Sequence, residues 1–363
     1  MKNIEEWERT NLQRLAVFTN GRFSPERREG ATYPVYGSNG VIGSTDSFNT
    51  QNQSIVIGRV GSYCGSLYFT NSNCWVTDNA IIGTAKKDTN ARYLFYLLKT
   101  LNLNARAGGS GQPLINQFIL NSIEVSRPPL PEQRSIANIL SSLDDKIELL
   151  RKQNETLEKI AQVIFNEWFS GNKGSNIRLG DFVTIKRGGS PRPIQDFISP
   201  TGLRWLKISD ATATTSPYIL EIKECIKVEG LSKTIFVKTG SLVLSNSATP
   251  GVPKILAVDS CIHDGWLYFQ KSKFSNEFLY LFFKHIRSQL VQQGSGSVFT
   301  NLKTDILKDF ELKIPDDKKL IEFDNVAKPI FAKILNNTTQ MQTLSRLGNT
   351  LLPKLIAGEI RVN

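Results

Sequence analysis

Two stretches of this chain place apolar residues at alternating steps of three and four. In the first they are Ile136, Leu140, Leu143, Ile147, Leu150, Leu157, Ala161, Ile164 and Trp168, with Asn154 at the one polar seam position. In the second they are Leu320, Phe323, Ala327, Ile330, Ile334, Met341, Leu344, Leu351 and Leu355, with Asn337 and Gly348 in the gaps. A repeat sustained at 3.5 residues predicts a coiled-coil seam rather than a helix with one buried face. Pro131 suits a first helical turn, where its missing N–H is not needed. Pro329 removes a helical hydrogen bond and predicts a kink or break near Ala327–Lys328. Elsewhere the pattern changes. Short β-rich runs such as Ser54-Ile55-Val56-Ile57 and Asn79-Ala80-Ile81-Ile82 alternate with Gly/Ser/Asn turns. Helices are predicted at 90–103 and 275–291, and Ser170–Asn176 reads as a helix stop and linker.

The chain also repeats itself at about 187 residues. Cys74-Trp75-Val76-Thr77-Asp78 echoes Cys261-Ile262-His263-Asp264, which puts Cys74 and Cys261 at equivalent positions. Tyr93–Leu98 echoes Phe278–Phe283, Gly65 answers Gly251, and Gly109-Ser110-Gly111 with Asn116 echoes Gly294-Ser295-Gly296 with Asn301. Each copy ends in a proline and a long heptad-patterned helix. A period this long excludes a solenoid, whose repeats run about 20–50 residues. Two similar modules are expected, about Asn11–Pro128 and Ile177–Ile314. Paired antiparallel so that residue numbers sum to 491, every seam position of one helix meets a seam position of the other. Leu143 then faces Gly348, Ile164 faces Ala327, Trp168 faces Phe323 and Asn154 lands on Asn337. A heptad slip would bury each Asn against an apolar residue, so the pair specifies register and orientation. Forty helical residues span roughly 60 Å, comparable to about 17 base pairs of duplex DNA.

Composition narrows the class. The chain of 363 residues is 40% hydrophobic and 21% charged, ordinary for a globular protein of two to three domains. No stretch approaches 18 uninterrupted apolar residues, and Met1 to Glu8 lacks the apolar core of a signal peptide. The four cysteines (64, 74, 225, 261) show no CxxC spacing, and there are two histidines. The expected state is reduced, metal-free and cytoplasmic. The net charge of +11 lies outside the helices: residues 130–169 hold five basic and seven acidic side chains, and 314–363 hold seven and five. Basic modules joined by neutral coils predict a polyanionic partner that both modules touch. Catalytic signatures are missing: there is no phosphate loop, no glycine-rich nucleotide fingerprint and no Asn/Asp-Pro-Pro-aromatic motif. His263-Asp264 beside Cys261 resembles a nucleophilic site, but the first copy reads Val76-Thr77-Asp78 there, so a structural role is expected.

At this point the residues resemble a known family. Leu130-Pro131-Glu132-Gln133-Arg134-Ser135-Ile136-Ala137, opening a helix, is similar to the start of the long helices in type I restriction–modification specificity subunits. Tyr33–Gly40 and Ile57–Ser62 look like the first target-recognition domain of that family, and Lys186–Pro191 and Trp205–Asp210 like the second. The second helix departs from the pattern, reading Ile314-Pro315-Asp316-Asp317-Lys318-Lys319. The expected fold is α+β: two mixed α/β recognition domains joined by two long helices in an antiparallel coiled coil, pseudo-two-fold symmetric. Its expected boundaries are 1–128 and 171–313 for the recognition domains and 129–170 and 314–363 for the helices. The resemblance implies a non-catalytic subunit without cofactor that reads a bipartite site in double-stranded DNA. The coils would set the gap and dock two methyltransferase subunits, which modify adenine with S-adenosylmethionine. Restriction (translocase) subunits using ATP and magnesium would join, and no membrane is involved.

The Gly-Ser loops, 107–112 and 292–297, are the best-placed candidates for DNA contact, because glycine lets the backbone approach phosphates and Ser, Gln and Asn can bond phosphates or base edges. The expected positions in the first module are Asn39, Arg59, Ser62, Arg106, Gly109, Ser110 and Gln112. In the second they are Lys186, Arg187, Ser190, Arg192, Lys207, Asn246, Ser295, Ser297 and Lys303. Arg59 is suited to a guanine edge, whereas Lys186, Arg187 and Arg192 are assigned to phosphates. Trp75, Trp205 and Trp266 are assigned to packing. Leu140, Ile147, Asn154, Leu157, Ile334, Asn337, Leu344 and Leu351 mark the seam. Two other classes fit the same residues: a stand-alone bipartite DNA-binding regulator and a coiled-coil scaffold for protein. A steep loss of duplex binding with salt separates DNA readers from the scaffold. Stable co-purification with a methyltransferase excludes the regulator.

Overall fold

The computed structural model describes residues 7–108, 113–169, 175–294, 302–314 and 316–362. It has two compact units, Met1–Ile147 with Thr343–Asn363, and Glu148–Gln342.

The first unit opens with β1 (Glu8–Asn11) and the short α1 (Leu12–Leu15). Strands β2 (Ala16–Asn20), β3 (Tyr33–Gly37), β4 (Gly40–Thr45), β5 (Ile55–Gly58), β6 (Leu67–Phe69), β7 (Trp75–Val76) and β8 (Ala80–Ala85) follow. Helices α2 (Ala91–Thr100) and α3 (Gln117–Ser122), strand β9 (Glu124–Arg127) and the long α4 (Leu130–Phe169) complete the series. One antiparallel sheet has the order β2-β8-β5-β6, and a second, β4-β3-β7, contains a parallel pair. β1 pairs antiparallel with β9 just before α4 begins. The run Ile55-Val56-Ile57 is apolar throughout because both faces of β5 are covered. Ile55 and Ile57 enter the main core with Tyr93, Leu94 and Leu12, while Val56 packs on the opposite side with Cys74 and Val76.

The second unit repeats this plan. Its order is β10 (Ser175–Arg178), α5 (Leu179–Phe182), β11 (Thr184–Arg187), β12 (Ile198–Ser199), β13 (Leu203–Leu206), α6 (Ile208–Thr212), β14 (Tyr218–Ile219), β15 (Cys225–Ile226) and β16 (Ile235–Val237). Then come β17 (Leu242–Ser245), β18 (Pro253–Leu256), β19 (Ser260–Ile262), β20 (Trp266–Gln270), α7 (Asn276–Gly294), α8 (Thr304–Lys308), β21 (Glu311–Ile314) and the long α9 (Asp317–Ile356). β11-β20-β17-β18 matches β2-β8-β5-β6, the parallel pair β13–β19 matches β3–β7, and β10–β21 matches β1–β9. Leu242 and Leu244 again face one core and Val243 the other.

The long helices run antiparallel within each unit. In the first, Leu143 Cδ1 lies 3.8 Å from where a Cβ on Gly348 would stand, and Ile136, Leu140 and Leu355 are buried together. In the second, Trp168 meets Phe323 at 6.0 Å between ring centroids, and the Asn337 amide donates to Asn154 Oδ1 at 2.9 Å. All three pairs sum to 491. Of the seam residues, Leu140, Asn154, Ile334 and Asn337 are buried, while Ile147, Leu157, Leu344 and Leu351 are half-buried.

Four expectations need correction. α9 is not broken at Pro329: the helix runs through it. Pro329 and Asn325, whose carbonyl loses its partner, both lie on the exposed face, where water can replace the lost bond. The helix expected over 90–103 ends at Thr100, because Asn102 turns left-handed (φ 46°) and a short 3-10 turn, Leu103–Arg106, follows. Cys261 is not the counterpart of Cys74. The parallel ladders pair Val35 with Trp75 and Trp205 with Cys261, and Ala80 N–H donates to Thr77 O as Trp266 N–H does to His263 O. The offset here is therefore 186 residues, and Ser260 occupies the place of Cys74. Nor does Asn301, which lies outside the described residues, answer Asn116. Ile115 N–H donates to Arg59 O and Leu302 N–H to Asn246 O, so Lys303 stands at the N-cap position that Asn116 holds in the first module.

Candidate nucleic-acid interface

In the first module the site grows from the end of β5. Gly58 leaves no room for a side chain, since a Cβ there would stand 2.2 Å from Tyr63 O. The next residue, Arg59, is clamped by its backbone: its N–H donates to Asn79 O (3.0 Å) and its carbonyl accepts from Ile115 N–H (3.0 Å). Its side chain is half-buried, and Nη1 donates to Asp78 O at 3.4 Å. The exposed Asn39 lies in the tight turn between β3 and β4. That turn is strapped to the Arg59 loop by Ser38 Oγ donating to Asn79 O (2.7 Å) and Ser66 Oγ to Ser38 O (2.5 Å). Exposed Ser62 sits in the following 3-10 turn, where Gly61 N–H donates to Pro113 O. Gly108 and Leu114 exchange two backbone bonds of 3.0 and 2.9 Å beside it. Asn39, Arg59 and Ser62 are thus gathered together. Exposed Arg106, bonded to Leu101 O, closes the 3-10 turn two residues before Gly108. Gly109, Ser110 and Gln112 lie outside the described residues.

In the second module the organising residue is Asp264. Its carboxylate accepts from Ser190 Oγ (2.8 Å) and Arg192 Nη2 (3.0 Å), and its backbone carbonyl from Arg187 Nε (2.5 Å) and Asn246 Nδ2 (3.1 Å). Gly188 permits this, because a Cβ there would stand 2.2 Å from His263 O. Burial pulls the Asp264 carboxyl upward, but the Ser190 bond and the charges of Arg187 and Arg192 outweigh it and hold it below the usual carboxylate range. Burial holds His263 below the usual imidazole range, and its Nδ1 accepts from Gly265 N–H at 2.8 Å. The Cys261 thiol is pushed up to about 11 by burial, so the Cys–His–Asp string holds no activated nucleophile. A cleft of about 1140 Å³ opens here between Ser190, Arg192, Trp205, Lys207, His263 and Asp264. Lys207 is paired with Glu224, and its N–H donates to Asp210 Oδ2 at 2.9 Å. Arg187, Ser190, Arg192, Lys207 and Asn246 are thus brought together. Lys186 and Lys303 are exposed and no described bond joins them to this cluster, while Ser295 and Ser297 lie outside the described residues.

Sequence reasoning missed Asp264 as a hub. The available signal was an acidic residue repeated as Asp78 in a module of net positive charge. It also missed the use of the Pro131-Glu132-Gln133 motif. Glu132 accepts from Trp7 Nε1 (3.1 Å) and from Arg361 Nε and Nη2 (2.6 and 2.9 Å). Gln133, almost fully buried, accepts from Asn90 N–H (3.0 Å) and donates to Pro128 O (2.9 Å). Trp205 and Trp266 are buried, and Trp75 is half-buried with its Nε1 donating to Phe23 O. Among the described residues, no group of three or more His, Cys, Asp or Glu is placed to hold a metal, and no helix is long and apolar enough to cross a membrane.

Comparison with known proteins agrees with this duplicated layout. The family model for the type I restriction modification DNA specificity domain matches residues 4–159 and again 173–349. The type I restriction enzyme MjaIX specificity subunit of Methanocaldococcus jannaschii is 28% identical over 305 residues, covering 75% of this chain and 69% of that protein. The HindI specificity subunit of Haemophilus influenzae is 24% identical over 327 residues, covering 68% of this chain and 71% of that one. The crystal structure of a type I restriction–modification S subunit from M. genitalium has the same fold, with a TM-score of 0.69 at 16% identity over 98% of this chain and 97% of that one. With one such domain matched in each half, and the strand order β2-β8-β5-β6 of the first half recurring as β11-β20-β17-β18 in the second, the chain belongs to the type I restriction–modification DNA specificity family.

Proposed function

We propose that the chain reads a bipartite sequence in double-stranded DNA, residues 1–128 taking one half-site and 171–313 the other. Helices 129–170 and 314–363 set the unspecified gap and dock two methyltransferase subunits, which modify adenine with S-adenosylmethionine. ATP-dependent restriction subunits complete the assembly in the cytoplasm. The chain itself supplies recognition, without catalysis and without a cofactor. One observation carries this reading. In both modules the polar turn after the central strand is latched at the same point, Arg59 by Ile115 and Asn246 by Leu302, while the side chains offered there differ. A shared frame carrying different side chains suits two different half-sites. The net charge of +11 supports duplex DNA as the partner.

The gap is tested by removing one heptad from both helices in register, Lys146–Lys152 together with Thr339–Ser345. The seam is preserved, and the separation shortens by about 10 Å, or about three base pairs. Both half-sites are expected to persist with a correspondingly shorter gap in the DNA that the protein selects. An unchanged gap would falsify the ruler role.

A further inference from the structure

The two modules seat an arginine at the same spot of the fold, and they do so from different strands. Arg59 N–H donates to Asn79 O at 3.0 Å and Asn246 N–H to Gly265 O at 2.9 Å, so the turns align with Asp78 as the counterpart of Asp264. In the first module the Asp78 carbonyl accepts from Arg59 Nη1. In the second, Asn246 stands where Arg59 would be. It is buried, and its amide ends on the Asp264 carbonyl without reaching past it. The guanidinium comes instead from Arg187 at the end of β11, whose Nε donates to that same carbonyl at 2.5 Å. The Nη groups of Arg187 make no hydrogen bond to the described residues, and its side chain is exposed.

This seating argues against a phosphate contact. A phosphate can be met by a mobile cation such as the exposed Lys186 and needs no fixed planar fork. The Arg187 guanidinium, fixed through Nε on a main-chain carbonyl with its Nη groups unbonded to the described residues, is preset to offer a planar fork to a base edge. We infer that Arg187 is the spatial counterpart of Arg59, that each arginine reads one guanine in its own half-site, and that Asn246 is a positioning residue for Arg187. The inference rests on the bipartite DNA reading proposed above.

The test selects duplexes from a randomised library with the full chain, comparing wild type with R59K, R187K and N246A. Lysine keeps the charge but loses the bidentate fork. R59K is expected to relax one guanine position in one half-site and R187K one in the other, each lowering discrimination there by roughly 5- to 150-fold. N246A is expected to relax only the position that R187K relaxes, with no added effect in the double variant. If R187K selects the wild-type sequence at every position, Arg187 is a phosphate contact and the inference fails. A uniform loss of affinity in N246A, without change in preference, refutes its positioning role. If the wild-type chain selects no bipartite sequence, the underlying reading fails instead.

Discussion

Among single residues, the Asn154–Asn337 pair is the clearest case of a polar group retained inside an apolar seam. Asn337 is fully buried and donates to Asn154, whose own amide donates to Thr338 Oγ1 at 3.1 Å. Thr338 in turn is 3.2 Å from Ser216 Oγ, which belongs to the recognition module of the same unit. Replacing Asn154 alone with Leu leaves the Asn337 amide without its best partner, at an expected cost of about 1–3 kcal/mol. Replacing both residues with Leu should recover most of that. Chemical denaturation of the four proteins of the cycle measures the coupling, and near-additive losses would remove the pair's role in register. The pairing itself was readable, since the two polar interruptions fall at numbers that sum to 491. Thr338 was not, because its partner Ser216 comes from a loop 122 residues away that no seam pattern reaches. The misplacement of Cys261 has a similar source: buried small residues are interchangeable letters, and only the hydrogen-bond register reveals a one-residue slip.

The helices and strands tell more about where local rules yield. The heptad pattern located α4 and α9, and it also overstated Pro329, because a proline on a solvent-facing helical surface costs a bond that water can replace. β5 and β17 looked like uniform apolar runs, and the reason is that each divides its side chains between two cores. The motif that starts α4 was legible as a helix start, yet the work of its side chains was hidden in tertiary contacts. Gln133 ties the N-cap residue of α2, Asn90, to the carbonyl of Pro128 just ahead of α4. Gln133→Ala strands both groups in a nearly dry place, and a loss of about 2–4 kcal/mol in unfolding free energy is expected. A loss under about 0.5 kcal/mol would mean that water serves equally well there. The corresponding place near the start of α9 is filled by the partly buried Leu320, which makes the two helix starts chemically unlike even though the elements match.

Over the whole molecule, the duplication was visible as repeated strings, and the location of the positive charge outside the helices pointed to DNA. The pairing of Arg59 with Arg187 was not visible. The repeat matches Arg59 with Asn246, whereas a guanidinium can be delivered to one carbonyl from either of the two strands that flank β20, β17 or β11. The clasp at Glu132 has a consequence of another kind. Trp7 and Arg361 both bind this carboxylate, and the Arg361 guanidinium lies 5.5 Å from the Trp7 ring. The path of the backbone therefore nearly closes on itself. A permuted chain, with residues 7 and 361 joined through a short Gly/Ser bridge and opened in the Gly/Asn-containing segment after α4, should fold and select the same DNA as the parent. Loss of either half-site preference in that permutant would show that chain order matters. If the preference survives, which module comes first is an accident of where the loop was cut, and the pair of half-sites has no beginning written into the protein.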